Sequence, residues 1–236
     1  MKQLICGKNS VLDALKNGVK VKTLFLLKTS NVNQNDWIFK GVKIKFISRE
    51  QMNLMTDLNH QGYVAILEEN FNYTSLEQTI KDQPNIILIL DHIEDPHNLG
   101  AIIRSANAAG IKHLIIPKNR AVDVNSTVWK VSSGGLVDFK ITKVNSLQAT
   151  LNKLKENNYW IYASALETNS FDYSQIDYNF PLAIIIGNEA SGVSKTLLKQ
   201  SDQIIHIPLY GTVQSLNASV ASGIILFEII KKLKPN

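Results

Sequence analysis

From residue 86 onward the chain carries five short, mainly apolar runs, at 86–90, 113–116, 160–163, 182–186 and 203–207, with helical stretches between them. A strand buried on both faces loses the apolar–polar alternation of a half-exposed strand. Runs of this kind, spaced by helices, predict a mainly parallel sheet covered by helices on both sides. The composition suits such a core: 44% of residues are hydrophobic and 19% charged, which indicates neither disorder nor a fibrous chain.

The first third reads differently. A helix over 10–17 and strands over 22–27, 43–47 and 63–67 form a small α/β unit. Turn and breaker residues then cluster between 70 and 85, among them Asn70, Asn72, Ser75, Gln83 and Pro84. The expected organisation is a small first domain over 1–70, a linker or short linking helix over 71–83, and a larger domain over 84–236. Residues 1–70 hold ten Lys/Arg against six Asp/Glu, whereas 71–236 hold fifteen against fourteen, so most of the net charge of +5 lies in front. Lys16, Lys20, Lys22, Lys28, Lys40, Lys43 and Lys45 suit a phosphate-facing surface, or equally a solvated face.

Three segments of the larger domain hold the polar residues that could do chemistry. In the first, residues 90–110, a strand gives way to a polar turn and a helix starts near Asn98; Gly110 ends it. Leu99, Ile102, Ile103 and Ala106 form its buried stripe, which leaves Gly100 and Arg104 on another face. Asn98 could be an N-cap and nothing more. In the second, Gly187-Asn188-Glu189-Ala190-Ser191-Gly192, two glycines sit where a buried strand must turn closely, so the backbone could approach a ligand. Val193 stands where a phosphate-binding loop needs lysine, and no dinucleotide-binding glycine fingerprint follows any strand. Glu189 alone could simply favour the positive end of the next helix. The third segment runs from Ile207-Pro208 through Gly211 to Ser215-Leu216-Asn217, from which a last helix departs, capped by Ser215 or Asn217. That helix has almost no polar face before Lys231, which favours burial under the chain or against a second subunit.

Together these segments resemble the SpoU family of RNA ribose 2′-O-methyltransferases, a branch of the SPOUT superfamily. Asp95-Pro96-His97-Asn98-Leu99-Gly100 through Arg104 is similar to the family's first motif, Gly187 to Gly192 to its second, and Ile207-Pro208 with Ser215 through Ala221 to its third. In front, residues 5–15 and His60-Gln61-Gly62 resemble the substrate-binding domain of the RlmB subgroup, which methylates a guanosine of 23S ribosomal RNA. Asn188 and Ala190 depart from the small residue and the glycine usual in the second motif.

The resemblance implies a deep trefoil knot in the C-terminal region, a homodimer, and S-adenosylmethionine held mostly by backbone groups of Gly187, Ile207 and Leu216. It implies catalytic roles for Arg104, Asn98, Glu189, Ser215 and Asn217. A guanidinium has five donors and no acceptor, so Arg104 is expected to stabilise the developing 2′-oxyanion rather than act as base. The expected function is 2′-O-methylation of a ribosomal RNA ribose; the alternatives are a tRNA substrate or a noncatalytic RNA-binding assembly protein. No DNA, membrane or metal partner is expected, since the apolar stretch at 223–230 is too short to span a bilayer and the five histidines are scattered. The lone Cys6 and the absence of a signal-like N-terminus point to the cytoplasm.

Overall fold

A computed structural model describes residues 3–30, 32–33 and 35–234. The chain divides into two compact units, Met1–Asn72 with Asp123–Val137, and Tyr73–Val122 with Asp138–Asn236.

In the first unit, β1 (Leu4–Cys6), α1 (Lys8–Lys16), β2 (Val21–Leu27), β3 (Ile44–Ile47), α2 (Arg49–Asn53) and β4 (Tyr63–Leu67) form a four-stranded sheet of order β1-β4-β2-β3, with its helices packed on it. Only the β2–β3 pair is parallel. The inclusion of 123–137 was not foreseen from the sequence, because it depends on long-range contacts rather than local pattern. Gln3 Nε2 donates to Val124 O at 2.6 Å, Ser10 Oγ donates to Lys130 O at 3.2 Å, and the Phe71 and Trp129 rings meet edge-on.

The second unit contains α3 (Leu76–Lys81), β5 (Ile86–Asp91), α4 (Pro96–Ala108), β6 (His113–Pro117), β7 (Lys140–Val144), α6 (Leu147–Glu156), β8 (Trp160–Ser164), β9 (Phe171–Asp172), β10 (Leu182–Gly187), α7 (Lys195–Gln200), β11 (Gln203–His206) and α8 (Ala218–Leu233); α5 (Ser126–Ser132) lies in the first unit. Its seven strands pair in parallel throughout, in the order β7-β6-β5-β10-β8-β11-β9. The stretch read as a linker is itself packed: Thr74 N donates to Ile141 O, and the buried Thr79 hydroxyl lies 2.7 Å from that of Thr142.

Successive strand side chains face opposite ways. Ile87, Ile89, Ala183, Ile185 and Ile161 therefore share one face, where they pack with Leu147, Leu151 and Leu154 of α6 and Leu197 of α7. Each such side chain contributes about 1.5–3 kcal/mol by leaving water. Leu99, Ile102, Ile103 and Ala106 of α4 are buried as the helical spacing requires, but so is Gly100, because α4 also packs against α8 and a wider stripe is covered. Within its own chain α8 is only partly covered. Ala218, Ser222, Ile225, Leu226 and Ile229 are buried, while Val220 and Phe227 are half exposed, because one helix presents only one side to its neighbours.

His113, at the start of β6, has a buried Nδ1 with no hydrogen-bond partner among the described residues, and its Nε2 lies 3.8 Å from Asp82. Burial lowers its pKa below the ordinary 6.5, against the attraction of Asp82 and with the help of Lys140. The unfolded chain therefore takes up a proton that the folded chain resists. Stability tied to His113 is intact above pH 6.5 and is lost as pH falls through the folded value. The melting temperature should fall less steeply between pH 7 and 5 in His113→Leu than in the natural chain; parallel curves would remove His113 from the account.

Candidate active site

Three loops leave the carboxyl ends of parallel strands in one part of the sheet: the β5–α4 turn, the β10–α7 loop and, one strand beyond β8, the β11–α8 loop. At this edge of an α/β sheet, loops diverge and leave room for a ligand. The chain lays down β5, β6 and β7 to one side, places β8 on the other, and later inserts β10 between β5 and β8. β5 and β10 end in register, Asp91 beside Gly187.

Asp95, not Asn98, caps α4: its carboxylate accepts from His97 N at 2.8 Å, and Pro96 occupies the first turn, where its missing N–H costs nothing. Asn98 is thereby left free to turn its amide inward, and it is buried. Its Nδ2 donates to Glu189 Oε1 at 2.6 Å. Asn217 Nδ2 donates to the same oxygen at 2.5 Å and to Asn98 Oδ1 at 3.0 Å, using both of its hydrogens. Meanwhile Asn217 Oδ1 caps α8 by accepting from Ser219 N at 2.9 Å. One oxygen of Glu189 is thus taken up by two neutral amides. The carboxylate meets no cation among the described residues, and Oε2 keeps its acceptor capacity.

The β10–α7 loop folds back upon itself. Gly192 N donates to Asn188 O at 2.7 Å, and Gly192 has φ +65°. A Cβ on Gly187 would lie 2.1 Å from Gly192 C and 2.2 Å from Val193 N, so this turn admits only glycine. Asn188 replaces a smaller residue with a brace: its Oδ1 accepts from Ala190 N at 2.8 Å and its Nδ2 donates to His92 O at 2.9 Å. Ala190 does not adopt a positive φ, so alanine costs nothing there.

Beside this cluster lies a pocket of about 410 Å³. Gly187, Ile207 and Leu216 line it, with Glu189 and Ser215. From 207 to 216 the main chain makes no hydrogen bond to other main chain among the described residues. Backbone donors left over at a pocket wall are groups that a ligand can satisfy. Ser164, Ala165 and Leu166 also line the pocket, and sequence reading missed them. The signal was available: a parallel strand over 160–163 must deliver the next residues to the same edge.

Arg104 stands apart. Six residues beyond Asn98, it is about 120° round the helix and about 9 Å along it; it is exposed and makes no hydrogen bond or ion pair among the described residues. The structure therefore brings Asn98, Glu189 and Asn217 together, sets Ser215 on the pocket wall, and leaves Arg104 facing solvent. No group of three or more potential metal ligands assembles among the described residues.

A backbone-lined pocket at the carboxyl edge of a covered parallel sheet, flanked by a carboxylate held by two amides, defines an α/β enzyme domain. Residues 85–227 match the SpoU rRNA methylase family, and residues 4–73 match the substrate-binding domain of RNA 2′-O ribose methyltransferases. The chain is 34% identical over 242 residues to a TrmH family tRNA/rRNA methyltransferase of Bacillus subtilis, covering 98% of this chain and 96% of that one. It therefore belongs to the SpoU methylase family. Among solved structures, an AdoMet-bound rRNA methyltransferase from Sinorhizobium meliloti superposes with a TM-score of 0.83 at 27% identity, covering 100% of this chain and 88% of that one. The A. aeolicus TrmH/SpoU tRNA modifying enzyme gives a TM-score of 0.58 at 31% identity and covers 66% of this chain and 83% of its own.

Proposed function

We propose that the protein transfers the methyl group of S-adenosylmethionine to the ribose 2′-oxygen of a guanosine in 23S ribosomal RNA, working as a cytoplasmic homodimer. The observation that carries this reading is the Asn98–Glu189–Asn217 cluster at the rim of the backbone-lined pocket. The pocket fits S-adenosylmethionine in kind: Ile186, Ile207, Leu209 and Leu216 offer apolar surface for a purine, and the 207–216 backbone offers donors. When bound, the cofactor supplies an electrophilic methyl on a positively charged sulfur.

The chain's own work is then to hold a ribose hydroxyl in line and to ease the loss of its proton. Glu189 Oε2 can accept the hydroxyl hydrogen bond, while Asn98 and Asn217 fix the carboxylate's plane. Arg104, without a hydrogen-bond or ion-pair partner among the described residues, acts on the substrate directly and stabilises charge growing on the 2′-oxygen. Ser215 shapes the wall beside the reacting atoms. Glu189→Gln keeps the shape but removes the charge, and should lower kcat by about 10²-fold while cofactor affinity, read by calorimetry, changes little. Equal losses in both would make Glu189 a cofactor ligand only.

The ribosomal reading is favoured because the similar rRNA enzyme spans the whole chain, whereas the tRNA modifying enzyme covers two thirds of it. The half-exposed Val220 and Phe227 on α8 support a homodimer, and the trefoil knot is proposed from membership of the SpoU family. Ribose methylation mapped in ribosomal RNA from cells with and without the protein, beside tritiated methyl transfer to unmodified rRNA and tRNA, tests the proposal. Transfer to tRNA alone would overturn the ribosomal part, and cofactor binding without any transfer would leave a noncatalytic RNA-binding protein.

Lys40, Lys43 and Lys45 are exposed and form no ion pair among the described residues. If they meet phosphates, changing all three to alanine should flatten the dependence of log affinity on log salt by roughly one unit per lost contact. Filter binding over a salt series reads this, and an unchanged slope would make them a solvated face.

A further inference from the structure

We infer that Asp91 is a positioning residue for the methyl transfer proposed above, acting through His92 and the β10–α7 loop; the inference rests on that reading. Asp91 ends β5 next to Gly187, and its side chain follows Ile87 and Ile89 onto the face covered by α6 and α7. It is 2% exposed. A carboxylate so buried is costly unless donors surround it. Two do: Ser194 N donates to Oδ2 at 2.8 Å, and His92 Nδ1 donates to Oδ1 at 2.5 Å. An ionised carboxylate only accepts, so the ring nitrogen facing it carries the hydrogen.

His92 needs such a hold. Its φ of +59° lies in the left-handed region that residues other than glycine seldom occupy, so neighbours must fix it. Asp91 fixes its ring and Asn188 Nδ2 fixes its carbonyl. The same two residues hold the neighbouring loop, Asp91 at Ser194 and Asn188 at Ala190. Asp91 and Asn188 thus tie the turn that leads to Asn98 to the loop that carries Glu189. The 2.6 Å bond between those two side chains depends on both backbones arriving in register. Misplacing a reacting group by an ångström can cost about 10²-fold in rate, so a tie of this kind should show in kcat.

His92→Asn and His92→Gly separate this role from simple folding. Both residues tolerate a left-handed backbone, but only asparagine can donate to Asp91. His92→Asn should keep kcat within about threefold, whereas His92→Gly should lower it at least ~10-fold with the KM for S-adenosylmethionine nearly unchanged, and should also lower the melting temperature, because the buried Asp91 loses one of its two donors. Hydrogen exchange in peptides covering 187–194 should quicken in His92→Gly and not in His92→Asn. Equal kcat in the two variants would overturn the role, as would a kcat loss matched by an equal loss of cofactor affinity. If the natural protein methylates neither rRNA nor tRNA, the functional reading fails by itself; the exchange comparison still decides the tie, and equal exchange in both variants would sink it.

Discussion

Arg104→Ala is expected to lower methyl transfer by about 10²–10³-fold while cofactor affinity stays within a few fold, the size of effect seen when one donor to a developing oxyanion is removed. The expectation follows from where the side chain stands. It lies on the exposed side of α4, off the pocket wall, and has no carboxylate or amide partner among the described residues. An arginine that stabilised the fold would show such a partner, and one that bound cofactor would line the pocket. What remains is a cation available to the RNA. Single-turnover transfer and calorimetric cofactor binding, measured on the same preparation, separate the two effects. A fall in affinity as large as the fall in rate would place Arg104 at the cofactor, and an unchanged rate would remove it from the reaction.

The core strands of the second unit were legible because each is a fully buried run: 86–90, 113–116 and 182–186 fall within β5, β6 and β10. β7 was not legible. It lies at an edge, and Lys140 and Lys143 interrupt its apolar residues, so its pattern resembles a loop as much as a strand. The sequence reading put the start of α4 two residues late because Asn98, Asp95 and Pro96 all suit a helix N-terminus, and only the bond from His97 N decides between them. Motif order pointed to Asn98, Glu189 and Asn217, yet nothing in the spacing says that both amides share one carboxylate oxygen. That arrangement depends on β5 and β10 pairing in register although their partners, such as Ile86 and Leu182, are 96 positions apart. The tie through Asp91 was invisible for the same reason. Its donors come from a neighbouring side chain and from a backbone N–H more than a hundred positions away, and neither leaves a periodic trace.

Gly187→Ala should be the most damaging small change in the cofactor loop. The added methyl would fall 2.1 Å from one backbone carbon and 2.4 Å from a carbonyl oxygen, well inside any real contact. Those atoms belong to Gly192, whose N–H closes the turn onto Asn188 O. Relief therefore requires opening the turn that carries Glu189, rather than swinging a flexible side chain aside. Overpacking of this kind costs about 1–3 kcal/mol of stability. Because Asn188, Glu189 and Ala190 form part of the pocket wall, cofactor affinity should fall by about 10²-fold, or ~2.7 kcal/mol, with it. Two other glycines grade the effect. Gly192→Ala meets no atom within 4 Å but must hold φ +65°, so its loss should be smaller, about 1–2 kcal/mol. Gly223→Ala, inside α8, would touch only Ser105 Oγ at 3.8 Å and should be neutral or stabilising by up to about 1 kcal/mol through helix propensity. Thermal melting and calorimetry on the three variants should rank them in that order, and a Gly187→Ala protein that binds S-adenosylmethionine normally would show that the turn opens without cost to the pocket.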